Sequence, residues 1–526
     1  MRITSLGHAG MLIATRDITI LCDPWFEPAF FGSWFPFPRN DQLSSDITAA
    51  IENPNYLYIS HIHGDHLDEA FLANHVNKET PVLLPDFPTR ELERTLGKLG
   101  FRNFIRTQNA IAAPLVNGVS VAIHIESSIS DGPGGDSALV VSDGDTIVVN
   151  QNDCRTHDLT ALASHGKVDA HFLQFSGAIW YPMVYDMPEE EKRSLATAKV
   201  ESQFARALAY VDKVDARVVV PSAGPPCFLD PELFHLNMVT GKEVSIFPHQ
   251  PEFVSRLAAQ GRTGILNMPG TVIDVSPSDI AVTHPVSDEA LHNTWNNIGD
   301  YLAAYQKDWM PWLAAHKATW LAPTDKLLAN IQSWFRPLLA MCPTVSTGAG
   351  GNCLIQTVSA AGAEPTADDL GIYIHFEYGD VQKYTNQPYR YRFIIQRELL
   401  ETVVAAKAVD WSNALFLSAR FRAWRDGDFN ENLYNFFKSL SVERMSRTEI
   451  EAYRRATEPT MSQDEVQIGD YIVERFCPHR QADLSEFGVI EGDYVVCTLH
   501  GWKFGVLDGK CKNAENKPLR IRKRTS

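Results

Sequence analysis

Through the first half of the chain, short runs of β-branched and aromatic residues alternate with polar loops bearing Gly and Pro. Residues 18–21, 55–60, 119–125, 138–141, 146–149 and 217–220 carry this pattern, and each predicts a strand. Between the last two the period changes. Leu195, Val200, Phe204, Leu208 and Val211 recur near helical spacing behind Pro188, which predicts a helix over 189–214 with these residues on its buried face. Strands and helices in such alternation predict a layered α/β domain. Near residue 286 the character shifts again. Trp295, Tyr301, Tyr305, Trp309 and Trp312 mark an aromatic-rich helical stretch, whereas 370–377 alternates as a strand does. Thr347-Gly-Ala-Gly-Gly-Asn352 lacks the Gly-Lys-Ser/Thr ending of a phosphate loop and reads as a turn. Residues 441–465 are charged and helix-prone, in the manner of a connector.

At 526 residues the chain is too long for one core; divisions are expected over 1–285, 286–440 and 441–526. A formal net charge of −17 argues against nucleic acid or an anionic membrane as the main partner. The one basic run, with Arg520, Arg522, Lys523 and Arg524, reads as a solvated end, with docking of an acidic electron donor as the alternative. Two of the eight Cys fall in the motif below; the other six show no framework spacing, which suits a reducing, cytoplasmic setting. No apolar run approaches the roughly 18 residues of a membrane span, so no membrane partner is expected.

Two constellations carry chemistry. Near the C-terminus, Cys477-Pro-His479 and Cys497-Thr-Leu-His500-Gly-Trp502 present two thiolates and two imidazoles on paired short arms. They resemble the ligands of a Rieske [2Fe–2S] ferredoxin, in which two Cys hold one iron and two His the other. Respiratory Rieske proteins add two Cys that form a disulfide across the cluster loops. Ala482 and Leu499 stand at those positions here, so the loops resemble the soluble ferredoxin and oxygenase kind.

The second constellation is Tyr56-Leu-Tyr-Ile-Ser60 running into His61-Ile-His63-Gly-Asp65-His66. Three His and one Asp within six residues at a strand end have no simple structural use. His-x-His aims two imidazoles at one ion, and Asp65 and His66 reach a position beside it. The motif resembles that of the metallo-β-lactamase superfamily, an αββα sandwich. By that resemblance His124 is the third imidazole, Asp153 a bridging ligand and Asp23 a carboxylate that orients the loop histidines. His8, in Leu6-Gly-His8-Ala-Gly10, resembles a position of the lactonase-like branch and reads more readily as structural than as a ligand. The last His of the hydrolases is missing, because the 217–220 strand runs into Pro221-Ser-Ala-Gly-Pro-Pro226. The second metal position is therefore expected to be a ligand short.

The chain as a whole resembles CMP-N-acetylneuraminate hydroxylase and its relatives, which join a Rieske domain to a metallo-β-lactamase-like domain. The likeness runs through Asp23-Pro-Trp25, Tyr58–Leu67, Asn152-Asp153-Cys154, Phe175-Ser-Gly177, Tyr181-Pro-Met183 and Pro221-Ser-Ala-Gly224, with a weaker echo at Phe416, Arg420, Arg425 and Tyr434. In that family the Rieske domain comes first; here it comes last. The resemblance implies a metallo-β-lactamase-like catalytic domain over 1–285, a mixed α+β middle region that shapes a substrate pocket or packs, and a connector with an all-β Rieske domain.

It further implies an iron-dependent monooxygenase acting on a nucleotide sugar or another small polar metabolite. NAD(P)H electrons would arrive indirectly, through a reductase, ferredoxin or cytochrome, and pass by the cluster to non-haem iron and O2. Asp65 and Asp153 would be the catalytic carboxylates, and His61, His63, Asp65, His66, His124 and Asp153 would hold one or two iron ions, or zinc. The alternative is a lactonase-like metal-dependent hydrolase with a regulatory Rieske domain; a purely electron-carrying protein would leave the His61–His66 cluster without a use.

Overall fold

The computed structural model describes residues 1–129, 132, 134–457, 464–479, 481–499, 501–514 and 517–524. They fall into two compact units. The first comprises Met1–Ser127, Gly134–Ile179 and Arg193–Lys317; the second comprises Ser128–Pro133, Trp180–Lys192 and Ala318–Ser526.

Two sheets build the first unit. One contains β1 (Arg2–Gly7), β2 (Gly10–Ala14), β3 (Thr19–Cys22), β4 (Tyr56–Tyr58), β5 (Val82–Leu84) and β6 (Phe104–Arg106). The other contains β7 (Ala113–Pro114), β8 (Ser120–Glu126), β9 (Asp136–Ser142), β10 (Ile147–Asn152), β11 (Ala170–Gln174) and β12 (Val218–Ser222). Two late strands, β13 (Val272–Val275) and β14 (Ile280–Thr283), return to the first sheet beside β1.

Side-chain alternation decides what lies between the sheets. Met11, Ile13, Ile20 and Tyr58 from the first sheet meet Val121, Ile123, Val141, Val148 and Phe172 from the second in one buried core. The opposite parity of the first sheet, including Leu12, Leu21 and Leu57, packs on Ile51, Leu72, Leu92 and Leu96 of three flanking helices. Beyond the second sheet, Phe175 stacks against Phe204 and Phe253 of two more helices. The result is the αββα sandwich of the metallo-β-lactamase fold.

The long helix spans Glu189–Val214, as its spacing predicts, but its buried face is turned. Val200, Phe204 and Val211 are buried, whereas Leu195 and Leu208 are only half-buried, and Gln203, Arg206 and Tyr210 are buried with the first three. The β1–β2 hairpin and β11 lack the clean alternation that marked the other strands; His171 and Gln174 interrupt β11's apolar run.

In the second unit, five strands line up as Asp380–Lys383, Gly371–His375, Cys353–Val358, Tyr391–Gln396 and Phe421–Arg425. An aromatic cluster of Phe335, Phe393, Trp411, Phe416, Phe436 and Phe437 packs against helices and strands of this layer. The helix Val442–Thr457, expected as a connector, is anchored here: Arg444 is buried and reaches Asp410 at 2.8 Å. Beyond it, two three-stranded sheets carry the cluster loops. Among the described residues no helix is long and apolar enough to cross a membrane.

Candidate metal centre and cluster module

Strands β1, β3, β4 and β10 end on one edge of the sandwich, and the donor residues follow from those ends. β3 and β4 run parallel, so Asp23 and the loop after Tyr58 emerge side by side, with the Asp23 N–H donating to the Tyr58 carbonyl. The fully buried Asp23 carboxylate then fixes the loop. Oδ1 accepts from the Ser60 N–H at 2.7 Å, while Oδ2 accepts from the Ser60 hydroxyl at 2.7 Å and from His66 Nδ1 at 2.9 Å. Because the Ser60 hydroxyl gives its proton to Asp23, it accepts from His61 Nδ1 at 2.9 Å. Both rings thus hold a proton on Nδ1 and point Nε2 into the site. From the other sheet, the Ser137 hydroxyl donates to the Ser60 carbonyl, and Asn152, at φ 46°, turns the chain so that Asp153 faces the same place.

Two donor groups result. Ligand atoms of His61, His63 and Asp153 lie within 4.8 Å of one another, as do those of His8, Asp65 and His66. His66 Nε2 lies 3.5 Å from Asp153 Oδ1, so the groups adjoin. Buried, with no hydrogen-bond partner, are His61 Nε2, His66 Nε2 and Asp153 Oδ1. Three orphaned donor atoms converging in a buried pocket of N and O ligands fit a divalent transition metal.

The electrostatics agree. Burial works against a charged His66, yet the Asp153, Asp65 and Asp23 carboxylates outweigh it and raise the imidazole to about 10. Burial likewise opposes ionisation of Asp65, but His66 and His8 pull it down to about 2. Asp153 is lowered too, with His66 and His61 overcoming its burial. Burial lowers His61. Buried carboxylates in this number draw a cation, and a metal would take the place of the His66 proton.

The structure brings His61, His63, Asp65, His66 and Asp153 together, and leaves His124 out. Val121 and Ile123 of β8 face the inter-sheet core, so His124, the next residue along the strand, faces the other way. Its Nε2 lies 2.7 Å from His165 Nε2, and burial together with His165 lowers it to about 4. Sequence reasoning missed Asp136 at the start of β9, whose Oδ1 is 3.3 Å from His61 Nδ1. It set His8 aside as structural, whereas the fold seats it beside Asp65. Only the fold could show the first of these; Gly-His-Ala-Gly at a tight turn was a signal for the second.

In the cluster module, Cys477 and Cys497 are buried thiols outside any disulfide, and His479 stacks on Trp502 with ring centroids 3.9 Å apart and planes at 9°. The Cys477 carbonyl accepts from Gln481 N–H and the Cys497 carbonyl from Gly501 N–H, which folds each arm back on itself. Ala482 and Leu499 are fully buried, so apolar packing stands where a disulfide would cross the loops. His500 lies outside the described residues. Two buried thiols and a packed imidazole suit the Cys and His ends of a [2Fe–2S] cluster.

Fold and donor sets define a class: a metal-binding metallo-β-lactamase-type sandwich joined in one chain to a Rieske [2Fe–2S] module. The Rieske domain model matches residues 458–521, and the model described as Rv3818-like, SCP2-like domain matches 327–454, which makes the middle region SCP2-like. A Rieske 2Fe-2S iron-sulfur protein of Mycolicibacterium smegmatis is 41% identical over 533 residues, covering 99% of this chain and 100% of the relative. Rv3818 of Mycobacterium tuberculosis, also named a Rieske 2Fe-2S iron-sulfur protein, is 42% identical over 532 residues and covered to 99% on both sides. The chain belongs to this Rv3818-like family of Rieske 2Fe-2S iron-sulfur proteins. Among solved structures, a metallo hydrolase of Ignicoccus hospitalis is similar over 54% of this chain and 98% of its own, at 16% identity and a TM-score of 0.36, a likeness too slight to argue from.

Proposed function

We propose that this protein is an iron-dependent monooxygenase that takes electrons through its own Rieske cluster and acts on a small polar metabolite. One observation carries the reading: a one-electron carrier and a buried His/Asp donor set sit in the same chain. A carrier alone has no use for the second, and a hydrolase would use the first only for regulation. Rieske potentials of roughly −150 to +300 mV suit delivery to iron and O2 better than reduction of difficult substrates. The electrons would come from NAD(P)H by way of an external reductase, ferredoxin or cytochrome. A nucleotide sugar as substrate rests on the resemblance to the sialic acid hydroxylases alone.

Iron held by His61, His63 and Asp153, or by Asp65 and His66 beside them, would supply the redox chemistry with O2. The chain's own contribution is placement. Asp23 and Ser60 fix the tautomers of His61 and His66, so that each Nε2 is ready to bind. Burial of Asp65 keeps bulk water from competing for its oxygens. The Asp carboxylates also neutralise cationic charge gathered at the site.

One observation favours hydrolysis instead. Two adjoining donor groups suit a pair of metal ions, an arrangement common to hydrolases. Isotope labelling separates the readings. With a reductant, a reductase and candidate polar metabolites, the product should gain oxygen from labelled O2. Turnover under argon with label from water, in a cluster-free variant, would replace the oxygenase by a hydrolase with a regulatory Rieske module.

A further inference from the structure

We infer that His8 is a metal ligand and completes the second position of the centre together with Asp65 and His66. This rests on the reading of the site as a metal centre. The residues at the end of β12 and just after it, where an imidazole was expected and is missing, are Ser222, Ala223 and Gly224. The structure ties that loop to another source of nitrogen: the Ala223 N–H donates to the His8 carbonyl at 3.0 Å. His8 thus stands against the vacated strand end, on the turn between β1 and β2.

The turn is built to hold the ring still. His8 has φ 51° and Gly7 φ 96°, a left-handed pair that costs a side-chain-bearing residue energy and persists only where the surroundings over-determine it. A Cβ on Gly10 would come within 3.0 Å of the Gly7 carbonyl and 3.2 Å of the Asp23 carbonyl, so the hairpin is pressed onto the residue that fixes the metal loop. The imidazole meets Trp25 edge-on at 4.8 Å and His66 at 5.6 Å. Its exposure is 5%.

The distances trace a coordination polyhedron. His8 Nε2 to Asp65 Oδ2 is 3.1 Å, Asp65 Oδ2 to His66 Nε2 is 3.8 Å, and His66 Nε2 to Asp153 Oδ1 is 3.5 Å. Ligands about 2.1 Å from one ion stand roughly 3 to 4 Å from each other. Each position then has three protein donors: His61, His63 and Asp153 at one, His8, Asp65 and His66 at the other, with Asp153 close enough to lean on both. Three protein donors leave room for an exogenous small molecule.

A plain hydrogen bond from His8 to Asp65 is the competing account, and one substitution parts the two. Asn tolerates left-handed φ and its amide still donates to a carboxylate, but it is a poor ligand for iron. Full-length protein, loaded with ferrous iron without oxygen, is assayed for iron in excess of acid-labile sulfide. The wild type should hold about two excess irons and His8→Asn about one, a twofold loss, with loss of the exchange-coupled signal in Mössbauer spectra. Circular dichroism and an intact Rieske signal establish that the variant is folded. A full complement in His8→Asn overturns the inference and leaves His8 as a hydrogen-bond donor. A single excess iron in the wild type also overturns it, while the metal centre stands; no excess iron at all removes both.

Discussion

The cluster module and the metal centre assemble ligands in opposite ways. In the module, Cys477, His479 and Cys497 come from two short arms within one small β domain, and each arm is closed by its own backbone bonds to Gln481 and Gly501. In the centre, one loop gives His61, His63, Asp65 and His66, while Asp153 and His8 arrive from strand ends far away in the sequence. The first needs only local chain geometry; the second exists only when both sheets are in place. A local site can be moved between proteins as a unit, whereas the distributed one is inseparable from its sandwich.

The largest effects should come from emptying one site while the other stays. Cys477→Ala with Cys497→Ala should abolish the Rieske electron paramagnetic resonance signal and lower turnover by ~100-fold or more, with the N-terminal metal retained. His61→Ala with His63→Ala should do the reverse: metal lost from the sandwich, turnover gone, Rieske signal intact. Loss of both centres in either double variant would mean that the two regions do not fill independently.

A smaller effect sharpens the role of the distributed carboxylate. Asp23→Asn keeps the shape but lets its amide compete for the Ser60 and His66 bonds, so the tautomers are no longer imposed. Metal affinity of the sandwich should fall by about 10- to 100-fold in a chelator competition, with the cluster unchanged. Unaltered affinity would show that Asp23 only packs.

The smallest effect concerns His124. With its pKa lowered from 6.5 to about 4 in the folded protein, the unfolded chain binds its proton more readily across that window. Stability is therefore full above about 6.5 and declines as pH falls towards 4. His124→Gln should remove about 1–2 kcal/mol of that decline, measured by denaturant melts at each pH, and leave the metal content as it was. Loss of metal in this variant would restore His124 to the ligand set.

These contrasts follow what the sequence made visible. Thiolates and imidazoles crowded at short spacing are readable without a fold, which is why Cys477, Cys497 and the His61–His66 loop were found. Asp153 was found through a likeness in chain order. His124 was misjudged because chain order does not say which way a strand residue faces, and the Val121/Ile123 parity settles that against it. His8 was set aside because a hydrogen-bonded histidine and a ligand look alike until the left-handed turn and the Asp65 oxygen are both seen. In the long helix, Gln203 and Arg206 are buried although spacing favoured Leu195 and Leu208; tertiary packing there overrode the apolar pattern.

The Asp23 carboxylate, gripping a backbone amide, a hydroxyl and an imidazole at once, has a consequence for how the protein matures. Hydrogen bonds to protein groups, rather than to the ion, order the donors of the metal loop, so little affinity is consumed in ordering the chain. The sandwich can then fold first and be charged afterwards, and an ion lost to a chelator can be replaced without passing through an unfolded state. Metal supply, rather than folding, would set when such a centre becomes competent.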